Sequence, residues 1–289
     1  MKKGFFAGLF ALSMLAFVGC NKDNTPGENR GDWTGDLNPV QVQRALVWET
    51  TGTWCGYCPN GSEMLYMAEA AYGDLIIPMV YHSGDPLTTP TGSAMSVNFP
   101  TSGVPNFYVN WQDVGQSIDG PISNALAETP KVGVGHEWQL KNNKFTINSK
   151  VQVYEPLDGV IMIGTYLVSG NLPASGQLTQ SDFTDRLEDR TANNVTASYW
   201  KVNAAEVAPG NFLIKKNTVY QHKHTFVNSG SENPWGEQIL SMQMMPGDIH
   251  EKTFELTAPS WVEMDGAKIA TIVWKKQGDS YFFINGYMK

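Results

Sequence analysis

The spacing of apolar and polar residues changes near residue 130. Before that point apolar runs take strand and helix periods in turn; after it they mostly alternate residue by residue. Residues 44–49 (RALVWE) form a short, nearly continuous apolar run, the pattern of a buried strand. Met64, Leu65, Met67, Ala68 and Ala71 recur at three- and four-residue intervals, so the spacing predicts a helix over 55–72 that Gly73 stops. Residues 75–81 read as the next strand. Pro78 within it predicts a bulge or an edge position, because proline cannot donate to a ladder. A Pro/Gly/Thr-rich loop over 82–92 precedes a short helix near 93–98, a strand at 106–110 and a helix at 118–128. The order β-α-β-α-β-α predicts an α/β layer structure for residues 40–130.

Alternation dominates 132–138, 144–148, 150–154, 160–168, 219–226, 251–256, 268–274 and 280–287. Asn142-Asn143 and Gln277-Gly278-Asp279 supply hairpin turns. Many short strands without helices between them predict an all-β unit over 131–289, an antiparallel sandwich of immunoglobulin-like or jelly-roll-like type. Residues 170–210 are long, polar and without a period; insertions of this kind are often functional.

The ends and the composition add context. Lys2 and Lys3 precede an apolar run over 5–18 that is too short to span a bilayer, which needs about 20 residues. The run closes in Phe17-Val18-Gly19-Cys20, which resembles the bacterial lipobox, although Phe17 stands where Leu is usual. That resemblance implies a signal peptide over 1–20, acylation of Cys20, membrane contact by lipid anchor only, and an outer-membrane lipoprotein on the periplasmic or surface face. The plainer alternative is a secretory signal in which Cys20 is incidental. Setting Cys20 aside leaves one even pair from an odd count of three cysteines. Residues 21–39 are rich in Asn, Asp, Gly and Pro and read as a flexible tether. A net charge of −8 with no basic run argues against nucleic acid as a partner. Nine Trp and eleven Tyr fit aromatic sheet packing, or a face for sugars or peptides.

Chemistry concentrates in Trp54-Cys55-Gly56-Tyr57-Cys58-Pro59. At the mouth of the predicted helix, unpaired backbone N–H groups and a partial positive charge favour the Cys55 thiolate. Free Cys titrates near about 8.5, and such settings lower it by about one unit to several. Cys58, one turn further in, is placed to resolve a mixed disulfide formed on Cys55. Pro59 sits early enough in the helix for its missing N–H to matter little. The alternatives are a structural disulfide, which closes too small a loop to stabilise much, or a metal site. With no second cysteine pair and scattered histidines, neither a metal nor a cofactor is expected. His222 and His224, two apart on a predicted strand, would share a face, and a hydrogen-bonded or surface role suits them best.

A strand, Trp54-Cys55-Gly56-Tyr57-Cys58, a helix and then Val104-Pro105 together resemble the thioredoxin superfamily. The resemblance implies a cis-proline at Pro105 beside the cysteine pair. It also implies that Glu49, six residues before Cys55, is a buried acid that moves protons to the resolving thiol. Trp54, Tyr57, Val104 and Pro105 would form the substrate-docking edge, with His82 at the same end of the sheet. Gly56-Tyr57 is more similar to the dipeptide of periplasmic disulfide isomerases than to the Gly-Pro of thioredoxin reductants.

The whole layout resembles a Bacteroidetes outer-membrane lipoprotein family named for a 28-kDa outer membrane protein, whose members join a thioredoxin-like domain to a β-rich one. Cys20, Glu49 through Cys58, Gly103-Val104-Pro105-Asn106, Val219-Tyr220-Gln221-His222 and Asn233-Pro234-Trp235-Gly236 carry that resemblance. Two functions are therefore in view. One is an envelope-anchored thiol–disulfide oxidoreductase, a protein-disulfide reductase or isomerase that acts on exported protein thiols or disulfides with a redox partner protein. The other is an adhesion or ligand-binding lipoprotein with the first domain as scaffold.

Overall fold

Three antiparallel-rich sheets stacked in layers account for most of the structure. The computed structural model describes residues 30–178, 180–181, 220–240 and 243–289. Cys20, Val219 and residues 182–210 of the polar insertion lie outside the described residues. The strands are β1 (Arg30–Gly31), β2 (Ala45–Thr51), β3 (Ile76–His82), β4 (Asn106–Val109), β5 (Gln112–Gly115), β6 (Val132–Lys141), β7 (Lys144–Val153) and β8 (Val160–Val168). They continue with β9 (Leu172–Pro173), β10 (Gln221–His222), β11 (Phe226–Ser229), β12 (Glu237–Leu240), β13 (Ile249–Thr257), β14 (Lys268–Gln277) and β15 (Ser280–Met288). The α-helices are α1 (Cys58–Tyr72), α2 (Pro90–Ser96) and α3 (Asp119–Leu126).

The first sheet has the order β3-β2-β4-β5. β2 and β3 are parallel and joined through α1, whereas β4 runs antiparallel to β2. β2 and β3 are buried at every position, which explains why both read as continuous apolar runs. Pro78 lies in the edge strand β3. Its missing N–H falls on the outer side, where Val80 N donates to His224 O at 2.8 Å. One face of this sheet carries α1 and α3 over Ala45, Val47, Leu65, Phe107 and Ile122.

The inward stripe of α1 is Gly61, Leu65 and Ala68 with Met64 and Tyr72 beside it, while Met67 is half exposed and Ala71 exposed. The helix begins at Cys58, not at Cys55, so the predicted start was three residues early. Residues 53–57 form turns in which Cys55 N donates to Gly52 O at 3.0 Å.

The other two sheets pack face to face. β1-β6-β7-β13 forms one, and β11-β8-β14-β15, with β12 also on β8, forms the other. Asn142 and Asn143, both with positive φ, make the two-residue β6–β7 hairpin that their sequence predicts. On β8, Ile161, Ile163 and Leu167 face β6, β7 and β13, whereas Met162, Tyr166 and Val168 face the first sheet. Both faces of this middle sheet are therefore covered.

The inter-sheet core is aromatic. Trp48 stacks on Phe99 at 4.6 Å between ring centroids, and Trp235 stacks on Tyr281 at 4.3 Å. Buried side chains of this size contribute about 1.5–3 kcal/mol each, so most of the unusual aromatic content is packing. β15 comes so close that a Cβ at Gly286 would lie 2.6 Å from Ile77 Cδ1.

A buried amide pins the same junction. Asn285 Nδ2 donates to Val42 O and Val132 O, and Asn285 Oδ1 accepts from Arg44 N. The segments 40–130 and 131–289 thus share one core through the contacts of Leu46, Trp48 and Met79 with Met162, Ile272 and Trp274. The described part of the expected tether is held as well. Arg30–Gly31 pairs with β6, and Glu137 Oε2 accepts from Thr34 N and Gly35 N. Those bonds satisfy backbone groups that a solvated tether would leave to water.

Candidate functional site

β2 delivers the chain directly into the Cys55 turn, at the end of the sheet where β3 also finishes; Thr51 lies opposite His82. Cys55 and Cys58 form a disulfide with Cα atoms 5.4 Å apart. Cys55 is 5% exposed and Cys58 fully buried, so an attacking sulfur meets Cys55 first. Trp54, just before the pair, and Tyr57, between its two cysteines, are about half exposed, at 55% and 51%. The Trp54 indole is anchored, its Nε1 donating to Ser83 O at 2.8 Å.

Val104 O lies 3.7 Å from Cys55 Sγ, a distance at which a reduced thiol donates a weak hydrogen bond. The Val104-Pro105 bond is cis. Pro105 is buried, while Val104 is partly exposed beside the disulfide. Glu49 is 0% exposed, and neither carboxylate oxygen has a hydrogen-bond partner among the described residues. Burial alone pushes its carboxyl up from 4.5 to about 8.

Gly61, one turn into α1 from Cys58, ties these parts together. A Cβ there would lie 2.5 Å from Pro105 Cβ and 2.8 Å from Glu49 Oε1. Glu49, the cis-proline and the helix carrying Cys58 therefore meet at one point. A glycine inside a helix signals such close approach, and it was the clue that sequence reasoning passed over.

The structure gives His82 another role. It is 2% exposed, and its Nδ1 lies 2.7 Å from Asp85 Oδ2, so it faces the protein and not a substrate. Asp85 also accepts from Thr53 N at 2.7 Å and from Leu87 N at 2.8 Å. Burial opposes the Asp85 charge, but the His82 side chain and these backbone donors hold its carboxyl below the ordinary value. Asp85 thus fixes the approach to Cys55. His222 packs edge-on against His82, with centroids 5.1 Å apart, and is pulled down to about 4 by burial and by His82. His222 and His224 do not share a strand face. Backbone φ at His224 is +53°, which turns its ring away to pair with Glu69 at 2.8 Å.

The C-terminal half reaches this site in a way that sequence spacing cannot reveal. Gln180 Nε2 donates to Cys55 O at 2.8 Å and Gly52 O at 3.2 Å, and Ser181 N donates to Thr53 O at 2.6 Å. Tyr220 OH is hydrogen-bonded to Ser62 Oγ on α1.

With this geometry in place, comparison with solved structures gives a fold relative. The chain is similar in fold to HBP35 of Porphyromonas gingivalis. The superposition has a TM-score of 0.59 at 15% identity and covers 87% of this chain and 76% of that one. A protein from Agrobacterium tumefaciens aligns at 10% identity with a TM-score of 0.49, over 86% of this chain and 95% of that one. No protein-family model and no curated protein matches the sequence.

Proposed function

We propose that the protein is a thiol–disulfide oxidoreductase built on a thioredoxin-like first domain and anchored to the cell envelope through acylated Cys20. The observation that carries the reading is the buried Glu49 carboxyl, without a hydrogen-bond partner among the described residues, together with a Cys55–Cys58 disulfide whose exposed side is framed by Trp54, Tyr57 and Val104. The parallel β2–β3 pair, antiparallel β4 and cis Pro105 support the domain assignment. The fold likeness to a Porphyromonas gingivalis protein is compatible with the resemblance to Bacteroidetes outer-membrane lipoproteins.

In the oxidised state a thiolate of a dithiol donor, the redox partner protein, attacks Cys55 Sγ. The Cys55–Cys58 bond breaks, and Cys58 leaves with the electron pair. At pH 7 Glu49 is about nine-tenths protonated, so it can supply the proton that Cys58 takes up. The second donor thiolate then attacks the donor sulfur and frees Cys55 as a thiolate. Cys55 next attacks a disulfide in an exported protein and forms a mixed disulfide, and the displaced substrate sulfur takes a proton from water. Cys58, deprotonated by Glu49, attacks Cys55 Sγ, re-forms the internal disulfide and releases the second substrate sulfur as a thiolate, which takes a proton from water. Two electrons and two protons pass from donor to substrate.

Insulin reduction and repair of scrambled disulfides, with Cys55→Ser and Cys58→Ser as controls, test the reading. Turnover that both substitutions abolish is expected. A Cys55–Cys58 pair that no dithiol can cycle would falsify it.

A further inference from the structure

The Cys55 carbonyl has two donors of unequal strength. Gln180 Nε2 sits at 2.8 Å, whereas Cys58 N, the first amide of α1, sits at 3.3 Å, the weak end of the range. Gln180 belongs to the C-terminal half and is separated from Cys55 by 125 positions. Its chain is held nearby: His222 Nε2 donates to Leu178 O at 2.8 Å, and Ser181 N bonds Thr53 O. His222 packs on His82, and His82 holds the Asp85 that accepts from Thr53 N. The Cys55 turn is thus held from both sides, on its amide side by Asp85 and on its carbonyl side by Gln180 and Ser181.

We propose that Gln180 is a positioning residue of the dithiol site: by holding the Cys55 carbonyl at 2.8 Å it keeps the Cys58 N–H in only a weak, 3.3 Å bond to that oxygen, from which it can turn to the Cys55 thiolate. This rests on the thiol–disulfide reading above. A carbonyl oxygen has two lone pairs, and a short amide donor on one weakens the pull on the other. In the reduced protein the negative sulfur of Cys55 needs donors, and the first amides of a helix are the ones at hand. Without Gln180, the Cys58 N–H closes on the Cys55 carbonyl and turns away from the sulfur. The thiolate is then less stable, and the thiol holds its proton to higher pH.

The test uses the full chain, reduced, with iodoacetamide alkylation of Cys55 followed by mass spectrometry from pH 5 to pH 10. Gln180→Ala is expected to slow alkylation at neutral pH by about threefold, the loss of one ordinary hydrogen bond, with an unchanged plateau at high pH. Gln180→Lys keeps donors for the same carbonyls and adds a cation, so its midpoint falls at or below that of the unsubstituted protein. An unchanged midpoint in Gln180→Ala overturns the proposal. So does faster alkylation at every pH, which would make Gln180 only a cover over the cysteines. If Gln180→Ala does not fold, Gln180→Lys decides alone, and a midpoint above that of the unsubstituted protein overturns the idea. Insulin turnover on the same samples separates the two readings. A shifted midpoint without turnover sinks the enzyme and leaves the role of Gln180 standing.

Discussion

Replacing Glu49 by Gln removes an ionisable group that the native fold keeps uncharged. In the unfolded chain Glu49 titrates at its ordinary 4.5, and in the native protein at about 8. Below pH 4.5 both states hold the proton and the group has no pH-dependent effect. As pH rises from 4.5 to 8 the unfolded chain gives up this proton and the native one keeps it. Native stability therefore falls by about 1.4 kcal/mol per pH unit and levels off above pH 8, a total of about 5 kcal/mol. The sign is that of a raised native pKa: the stabilisation is complete at low pH and lost toward pH 8. Glu49→Gln abolishes this slope and adds only a small pH-independent difference, because the neutral carboxyl it replaces is likewise without a hydrogen-bond partner among the described residues. The variant is thus close to the parent in stability at pH 5 and more stable than it at pH 8. Urea denaturation of both oxidised proteins at pH 5, 6, 7 and 8 measures the difference by linear extrapolation. Groups common to both proteins cancel in that difference. A difference that stays constant across the four pH values would mean that Glu49 is ionised or partnered in the native state, and its role as proton carrier would go with it.

Two further substitutions probe neighbouring parts of the site. Gly61→Ala places a methyl 2.5 Å from Pro105 Cβ and 2.8 Å from Glu49 Oε1; it should lower stability by about 1–3 kcal/mol in urea denaturation and slow insulin reduction. Asp85→Asn weakens the charge-assisted bonds to His82, Thr53 N and Leu87 N and should cost about 1–3 kcal/mol at pH 7. Because the native Asp85 carboxyl is held low, its stabilisation is present above pH 3.8 and lost as pH falls through the lower native value. The gap between variant and parent should therefore shrink at pH 3 on the same denaturation curves.

How far these features were legible in the sequence depended on how local they were. The Asn142-Asn143 hairpin, the buried run of β2 and the long β8, β14 and β15 are set by backbone preference and side-chain period, and all are where patterning put them. The start of α1 was misplaced because Cys55, Gly56 and Tyr57 carry no capping side chain to mark a boundary. Cys55 and Cys58 stood out by their spacing, and Glu49 and Pro105 entered through the thioredoxin resemblance; the structure brings the four together because they sit on connected elements around one sheet. Gln180, the packing of His222 against His82 and the Asp85 anchor were not legible. Each acts through a contact whose partner is far along the chain or is a backbone group, and neither leaves a period or a motif. His82 shows the complementary failure: its place at the sheet end was legible, but the Asp85 carboxylate that turns it inward was not.

The shared core changes what can be asked of the two halves separately. β8, β14 and β15 are buried on both faces, one by β6, β7 and β13 and the other by β2, β3 and α2. Cutting the chain at residue 130 would strip Trp274, Met162, Tyr166 and Phe283 of their cover and leave a contiguous apolar face, a surface prone to association. Asn285 would at the same time lose Arg44 N and Val42 O. Ligand capture by an isolated C-terminal half would then reflect that exposed face and not a native binding site. The contrast between an enzyme and a binding scaffold is better posed on the intact chain, with cysteine substitutions that leave the core untouched. The same geometry explains why the C-terminal half can supply Gln180 at all. A residue 125 positions away can hold a carbonyl at 2.8 Å only if the two halves keep a fixed relation, and the aromatic layer around Trp48, Phe99 and Trp235 is what fixes it.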